Sequence, residues 1–235
     1  RVLSANGMVE DWLAEAAVIY NRDSYEQLER YSTHLLIPIE VLRTVIRWSM
    51  ESIPDEVLIG LDPDTKKPNP ESVEEVFGPA KTSFAGYGFL LGEPHIVNVG
   101  DSFSVHHVPE EWTDGVFSEQ RGARGSKFSS FIHSHPQAYA RPSQADAEAA
   151  QFTGGVEMIV GIRYSPESPG LEWYDEGDGH KRELSPEKDE ELPVIARVAG
   201  RSIHWFELIG YLQNGEGVNL LITDAEGLPM GLEIS

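Results

Sequence analysis

Two histidines and an aspartate with the spacing of a metal site lie in the middle of the chain. His133 and His135 are separated by one residue, and Asp146 follows after a short loop. Three protein ligands of this kind leave the fourth position of a tetrahedral zinc ion open, and catalytic zinc needs that open position. Histidine and carboxylate without thiolate fit zinc best, with iron, manganese and nickel as alternatives. The pattern therefore predicts metal-assisted hydrolysis.

The residues around the histidines predict a strand followed by a helix. Residues 127–133 are rich in aromatic and β-branched side chains, as a strand requires. Residues i and i+2 of a strand share a face, so both imidazoles should point to one side. Pro136 should end the strand pairing. Ser143 is placed to cap a helix, which would bring Asp146 back to the histidines.

Each part of this pattern also has a simpler interpretation. A His-x-His pair on a strand is more often an ordinary surface or core pair. Ser143 and Asp146 form the outline of a capping box, in which the carboxylate bonds the backbone and not a metal. All the parts occur in order, with Pro136 and Pro142 on either side of the loop, and this combination favours the metal interpretation.

These residues resemble the motif of the JAMM metalloproteases, also called JAB or MPN-plus, of the prokaryotic type. The family's zinc isopeptidases remove ubiquitin or ubiquitin-like proteins. The motif is His-Ser-His-Pro at 133–136, followed at matching spacing by Ser143 and Asp146. The resemblance implies that His133, His135 and Asp146 bind one zinc ion and that Ser143 donates a hydrogen bond to the oxyanion. It also implies a partner, a ubiquitin-like protein with a C-terminal glycine tail.

The family's general base, an upstream glutamate, has two alignments here. It opens a strand of the form Glu-x-x-Gly-x-Leu-x-Gly, and residues 85–92 fit that strand with Ala85 in the glutamate's place. Alanine cannot accept a proton, so this preferred alignment implies a catalytically inactivated Glu-to-Ala form, natural or deliberate. The rival base is Glu56, which follows a strand and helix at 37–48 as the family's base does, with 65–83 as an insertion. Both alignments remain open.

Composition narrows the class of protein. The 235 residues are 40% hydrophobic and include no cysteine, which excludes disulfides, thiolate zinc sites and thiol proteases. The net charge of −21 argues against nucleic acid and anionic membranes as partners. It favours a basic partner, and tails of ubiquitin-like proteins are often basic. No apolar run approaches the ~18 residues of a membrane span, and the first residues lack a signal-peptide layout, so we expect a cytoplasmic protein.

Periodicity predicts the elements around the motif. Amphipathic spacing predicts a helix over 9–20 and another over 41–49, and Asp23 and Ser24 are placed to cap a short helix between them. Turn residues predict a loop over 62–70. The weakly patterned segment 109–126 is a candidate mobile flap. Strands are predicted at 87–91, 96–99, 103–107, 157–163 and 171–174, and further strands, or strands with one helix, at 193–198, 203–212 and 218–223.

The predicted fold class is α+β, an MPN/JAB-like mixed curved β-sheet with flanking helices. We expect a helical N-terminal extension at 1–35, a JAMM/MPN-like catalytic domain at 36–184 and a C-terminal extension of the same domain at 185–235. The expected function is a zinc-dependent isopeptidase that cleaves after the C-terminal glycine of a ubiquitin-like protein. The alternative is a non-catalytic scaffold or ubiquitin-like-binding module that retains zinc. A weaker third hypothesis is a hydrolase of small amino-acid conjugates.

Overall fold

The computed structural model describes residues 5–53, 55–78, 88–100, 128–151, 153–166, 173–175, 181–183 and 192–234. The helices are α1 Ala5–Glu26, α2 Ile39–Ser52, α3 Glu71–Phe77 and α4 Gln144–Ala150, with a 3-10 turn at Leu28–Arg30. The strands are β1 His34–Pro38, β2 Val57–Leu61, β3 Pro63–Pro68, β4 Phe89–Leu91, β5 His95–Val99, β6 Ser130–Pro136, β7 Val156–Pro166, β8 Trp173–Asp175, β9 Lys181–Glu183, β10 Ala196–Val198, β11 Arg201–Leu212 and β12 Gly217–Thr223.

A mixed sheet forms the centre of the fold. Its strand order is β1-β12-β11-β7-β6-β2-β5, and β10 pairs with the N-terminal end of β11. The pairs β1/β12 and β6/β7 are parallel, whereas the pairs β2/β6, β2/β5, β7/β11 and β11/β12 are antiparallel. Two small ladders, β3/β4 and β8/β9, lie apart from this sheet. The predicted α+β class, with a mixed sheet and flanking helices, is confirmed.

The main hydrophobic core lies on one face of this sheet, under α1 and α2. Side chains alternate between the faces of a strand, and Ile132 of β6 and alternate residues of β7, such as Met158 and Val160, belong to this core. Leu13 of α1 and Leu42 of α2 are completely buried in the same cluster. Full burial of one such aliphatic side chain stabilises a fold by about 1.5–3 kcal/mol. The odd-numbered residues of β6, which include both histidines, therefore face the opposite side.

The N-terminal region differs from the predicted helix pair. The first helix continues to Glu26, so Asp23 and Ser24 lie inside it and cap nothing. Asn21 explains the continuity, because its buried side chain accepts a hydrogen bond from the Ile222 N–H and donates to two backbone carbonyls, those of Ile222 and Met230. These contacts fasten the helix to β12 along its last turns.

The loop predicted over 62–70 is wrong for most of its length. Pro63–Pro68 forms β3, which pairs with β4 across a register shift. Proline lacks a backbone donor and is tolerated at a strand end or a bulge, which is where these two prolines lie. The remaining turn residues of this segment, Asn69 and Pro70, lead into α3.

The C-terminal strands β11 and β12 belong to the same sheet as β6, the strand that carries His133 and His135. β11 pairs with β7, and β12 joins β11 to β1. The proposed boundaries after residues 35 and 184 stay predictions. The strand predicted at 103–107 and the flap at 109–126 lie outside the described residues. In the part of the chain that the structure describes, no helix has the length and apolar character to cross a membrane.

Candidate metal centre

Strand β6 presents both histidines on one face, as the spacing predicts. Phe131, His133 and His135 alternate with residues of the core face, and Phe131 packs against Leu58 of the neighbouring β2. His133 is completely buried, whereas His135 lies closer to the surface. The two imidazole centroids are 4.9 Å apart. Two side chains with nitrogen donors are therefore set close together at one place on the sheet.

The N-terminus of α4 brings the aspartate to the same place. Ser143 is the N-cap residue, and a complete capping box is present. The Ser143 N–H donates to Asp146 Oδ2 over 2.6 Å, and the Asp146 N–H donates to Ser143 Oγ over 3.2 Å. The capping box holds the carboxylate through Oδ2, and the carboxylate lies beside both histidines, with Oδ1 near His133 and Oδ2 near His135. The capping box at Ser143 and a metal-binding role for Asp146 are therefore compatible.

Three ligand atoms converge at this point. His133 Nε2 lies 3.0 Å from His135 Nε2 and 3.4 Å from Asp146 Oδ1, and His135 Nε2 lies 3.7 Å from Asp146 Oδ2. Ligands at ~2.0–2.2 Å from a tetrahedral zinc ion lie ~3.3–3.5 Å from one another. The observed separations of 3.0, 3.4 and 3.7 Å lie on either side of this edge length, so the three residues fit a small divalent cation.

The other nitrogen of His135 has a partner that sets the ring's protonation. His135 Nδ1 lies 3.1 Å from the carbonyl oxygen of Tyr139. A carbonyl only accepts, so the proton of the neutral ring sits on Nδ1. The lone pair is then on Nε2, which faces the other two ligands. Hydrogen bonds of this kind orient metal-binding histidines.

Of the two candidate base positions, Glu56 lies among the described residues and Ala85 does not. Glu56 directly precedes β2, which pairs antiparallel with β6, with Leu58 opposite His133. Continuing this register by two residues sets Glu56 opposite His135, on the face that carries both imidazoles. Adjacent contacts hold this segment against β6, because the Val57 N–H donates to Ser134 Oγ over 3.0 Å. Ala85 lies outside the described residues.

The strand that follows Ala85 is also not next to the metal strand. The predicted strand at 87–91 corresponds to β4, Phe89–Leu91, whose described partner is β3. In the described residues, the strands that flank β6 are β2 and β7. Of the two candidate base positions, Glu56 is therefore the one that the described sheet brings beside His135.

Strand β11 contributes residues to this face that sequence reasoning did not single out. Tyr211 and Glu207 pair in register with Glu157 and Gly161 of β7. Glu157 is buried and accepts a hydrogen bond from the Thr153 hydroxyl. Burial raises the pKa of Tyr211, and the carboxylates of Glu157 and Asp146 raise it further. Alternating polar residues within 203–212 are the only sequence signal, and nothing in it links them to a motif so far away in the chain.

The other histidines among the described residues, His34, His95 and His204, do not join the site. His95 stacks on Phe128 with ring centroids 5.5 Å apart. His204 bonds the Ser165 hydroxyl at 2.7 Å and the Pro193 carbonyl at 3.1 Å. His34 of β1 packs against Phe77 with ring centroids 5.2 Å apart. His106, His107 and His180 lie outside the described residues.

Comparison with known families agrees with the motif. Residues 79–174 match the family model of prokaryotic homologs of the JAB domain. This range contains the two histidines, the capping serine, the aspartate and Ala85, and Glu56 lies before it. No curated protein matches the chain. The family match supports assignment of the chain to the JAB/MPN family.

Proposed function

From its place in the JAB/MPN family, we propose that this protein is a zinc-dependent isopeptidase that cleaves after the C-terminal glycine of a ubiquitin-like protein. The convergence of His133, His135 and Asp146 carries this proposal, because one ligand atom from each residue lies within 4.8 Å of the other two, close enough to bind one small divalent cation. Their positions on a strand and a capped helix hold the site rigid, as catalysis requires. The burial of His133 and Asp146 excludes water from all but the outer side.

The chain's own residues supply the proposed chemistry around the metal. A divalent cation bound by these three residues activates water and polarises a carbonyl. Ser143 Oγ accepts from the Asp146 N–H, and its hydroxyl proton remains available to donate to an oxyanion. Ser143 is exposed, so a peptide carbonyl can reach it.

Glu56 is the general base in this proposal. The pairing of β2 with β6 supports this role, because it sets Glu56 across from His135 on the imidazole face. Its carboxylate would take the proton from the attacking water and pass it to the departing lysine amine. This use of one carboxylate for both transfers contributes about 10²–10⁴ to the rate of such reactions.

An available sheet edge and the negative net charge support a basic peptide tail as substrate. An extended chain can add as a strand beside a sheet edge, and β5 forms one edge of the described sheet, two strands from β6. The net charge of −21 attracts a basic tail and speeds its encounter with the enzyme.

One observation favours a second candidate function, a zinc-retaining binding module without catalysis. The range that matches the JAB family begins at residue 79 and includes Ala85, but not Glu56. If position 85 is the base position of the family, the chain holds the metal and the substrate without cleaving. The two functions differ only in which residue stands beside the attacking water.

A cleavage assay on a ubiquitin-like fusion separates these functions when the wild type is compared with Glu56→Gln and Ala85→Glu. We expect the wild type to cleave, Glu56→Gln to lose about 10²–10⁴ in rate with zinc retained, and Ala85→Glu to gain nothing. Glu51→Gln, an exposed change in α2, is the matched control. An inactive wild type that Ala85→Glu activates would establish the binding module. A wild type that holds no zinc after loading would overturn both functions.

A further inference from the structure

The loop between the second histidine and the capping serine is fastened to two strands. Its residues 137–141 cross β7 at Gly161, where no side chain separates loop and strand. A Cβ at Gly161 would lie 2.6 Å from the Ala138 carbonyl oxygen and 2.7 Å from the Ala140 nitrogen, both backbone atoms. The loop backbone therefore rests directly on the strand backbone.

Gln137 anchors the start of this loop to β7. Its N–H donates to the Ile162 carbonyl over 2.8 Å. Its side-chain amide donates to the Tyr164 carbonyl over 2.7 Å and accepts from the Tyr164 N–H over 3.2 Å. The residue has a φ of 57°, a conformation that these bonds must stabilise in a residue other than glycine. The first loop residue thus has a fixed place on the sheet.

Strand β11 holds the middle of the loop. The Ala140 N–H donates to Glu207 Oε2 over 3.1 Å. The Tyr139 ring stacks on Trp205, with centroids 5.3 Å apart and planes 23° apart. Trp205 and Glu207 are alternate residues of β11, so one face of this strand supports two consecutive loop residues. β11 lies beyond the range that matches the JAB family model.

The held residues include the carbonyl that orients a metal ligand. The Tyr139 carbonyl accepts from His135 Nδ1 over 3.1 Å and from the Arg141 N–H over 2.8 Å. The peptide unit that carries this carbonyl also carries the Ala140 N–H, which Glu207 binds. A planar peptide unit moves as one body. If the Ala140 N–H moves away from Glu207, the Tyr139 carbonyl, which accepts the hydrogen bond from His135 Nδ1, therefore moves with it.

We propose that Glu207 and Trp205 are positioning residues for the metal ligand His135. They act through one rigid peptide unit, in which Glu207 fixes the N–H end and Trp205 fixes the side chain of Tyr139. This inference rests on the proposed metal site. It extends the support of that site to a strand about seventy residues further along the chain.

Metal affinity of purified protein tests this role without any activity assay. The variants are Glu207→Ala, which loses the acceptor, and Glu207→Gln, whose amide oxygen still accepts from the Ala140 N–H. Glu216→Ala, at an exposed turn between β11 and β12, is the matched control. The dissociation constants for Zn²⁺ and Co²⁺, and the visible spectrum of bound Co²⁺, are measured for each.

Loss of a group that orients a metal-binding histidine typically weakens metal binding about 10–100-fold. We expect this loss and an altered Co²⁺ spectrum for Glu207→Ala, with Glu207→Gln and Glu216→Ala close to the wild type. Trp205→Ala should weaken binding in the same direction, and Trp205→Phe should restore it because a ring can still stack on Tyr139. Wild-type affinity in Glu207→Ala would overturn the role of Glu207, and so would equal losses in Glu207→Ala and Glu207→Gln. Wild-type affinity in Trp205→Ala would overturn the role of Trp205.

Amide hydrogen exchange in the metal-free protein separates failure of this inference from failure of the metal site. We expect the Ala140 amide to exchange faster in Glu207→Ala than in the wild type, whether or not metal binds. Unchanged exchange overturns the inference. A wild type that binds neither Zn²⁺ nor Co²⁺ overturns the proposed metal function itself.

Discussion

Substitution of Gly161 by alanine tests how closely the metal site depends on its loop. The added Cβ would lie 2.6 Å from the Ala138 carbonyl oxygen, whereas ordinary contact begins at 3.4 Å. The loop must therefore retreat by about 0.8 Å, the difference between these two distances. If the Tyr139 carbonyl moves with the loop, its 3.1 Å contact with His135 Nδ1 lengthens to about 3.9 Å, which is no longer a hydrogen bond.

Two quantities should change in Gly161→Ala. Overpacking of this kind costs about 1–3 kcal/mol of unfolding free energy, measured by urea denaturation of the metal-free protein. Loss of the His135 hydrogen bond should weaken Co²⁺ binding by about 10–100-fold, measured by titration in visible light.

Gly154→Ala is the matched control for this prediction. The position precedes the same strand, β7, and an added Cβ there meets nothing within 4 Å. We expect no loss of stability or metal affinity in this variant. If Gly161→Ala is as stable as the wild type and binds Co²⁺ equally well, the loop does not hold His135 in the way described.

Three further predictions concern the cap, the N-terminal helix and alkaline stability. Ser143→Ala removes both the N-cap acceptor and the proposed oxyanion donor, so unfolding free energy in urea should fall by about 0.5–2 kcal/mol and cleavage rate by about 10²–10³; full activity would exclude Ser143 as the donor. Asn21→Ala removes the partner of the Ile222 N–H and the Asn21 bond to the Met230 carbonyl, whereas the Ile222 carbonyl keeps its bond from the Met230 N–H; the cost should be about 1–3 kcal/mol in urea denaturation, and a neutral result would contradict the fastening of α1 to β12. Burial raises the pKa of Tyr211 above its ordinary value near 10, so its contribution to stability is complete below that pH and is lost as pH rises beyond it. Tyr211→Phe should reduce the alkaline fall in unfolding free energy, and an unchanged profile would show that Tyr211 titrates normally.

The convergence of the three candidate ligands could be predicted from sequence because local rules decide their geometry. Alternation along a strand sets His133 and His135 on one face. Capping chemistry at Ser143 fixes the start of α4 and the carboxylate of Asp146. These relations depend on residues close in the chain, so their spacing carries the information.

The surroundings of the site depend on pairings between distant segments. The strand that pairs with β6 decides whether Glu56 or Ala85 lies near the candidate metal site. Strand pairing between distant segments cannot be read from the local sequence pattern. The described sheet has β2 there. The support from Glu207 and Trp205 requires β11 to pair with β7 in one register, and shifting a strand by one residue would turn both side chains to the other face.

Two local predictions failed for the same physical reason. Asp23 and Ser24 are good capping residues, but tertiary hydrogen bonds of Asn21 hold α1 beyond them. The prolines of 62–70 signal a loop, but an exposed ladder with a register shift accommodates them as β3. In both segments, contacts with distant residues outweigh the local preference.

X-ray absorption at the zinc edge, on wild-type protein loaded with one equivalent of Zn²⁺, tests the central claim most directly. The structure predicts two imidazole nitrogens and a carboxylate oxygen at about 2.0–2.2 Å, with the imidazole signal lost in His133→Ala. A wild-type spectrum without imidazole ligands, or one that His133→Ala and Asp146→Ala leave unchanged, would contradict it.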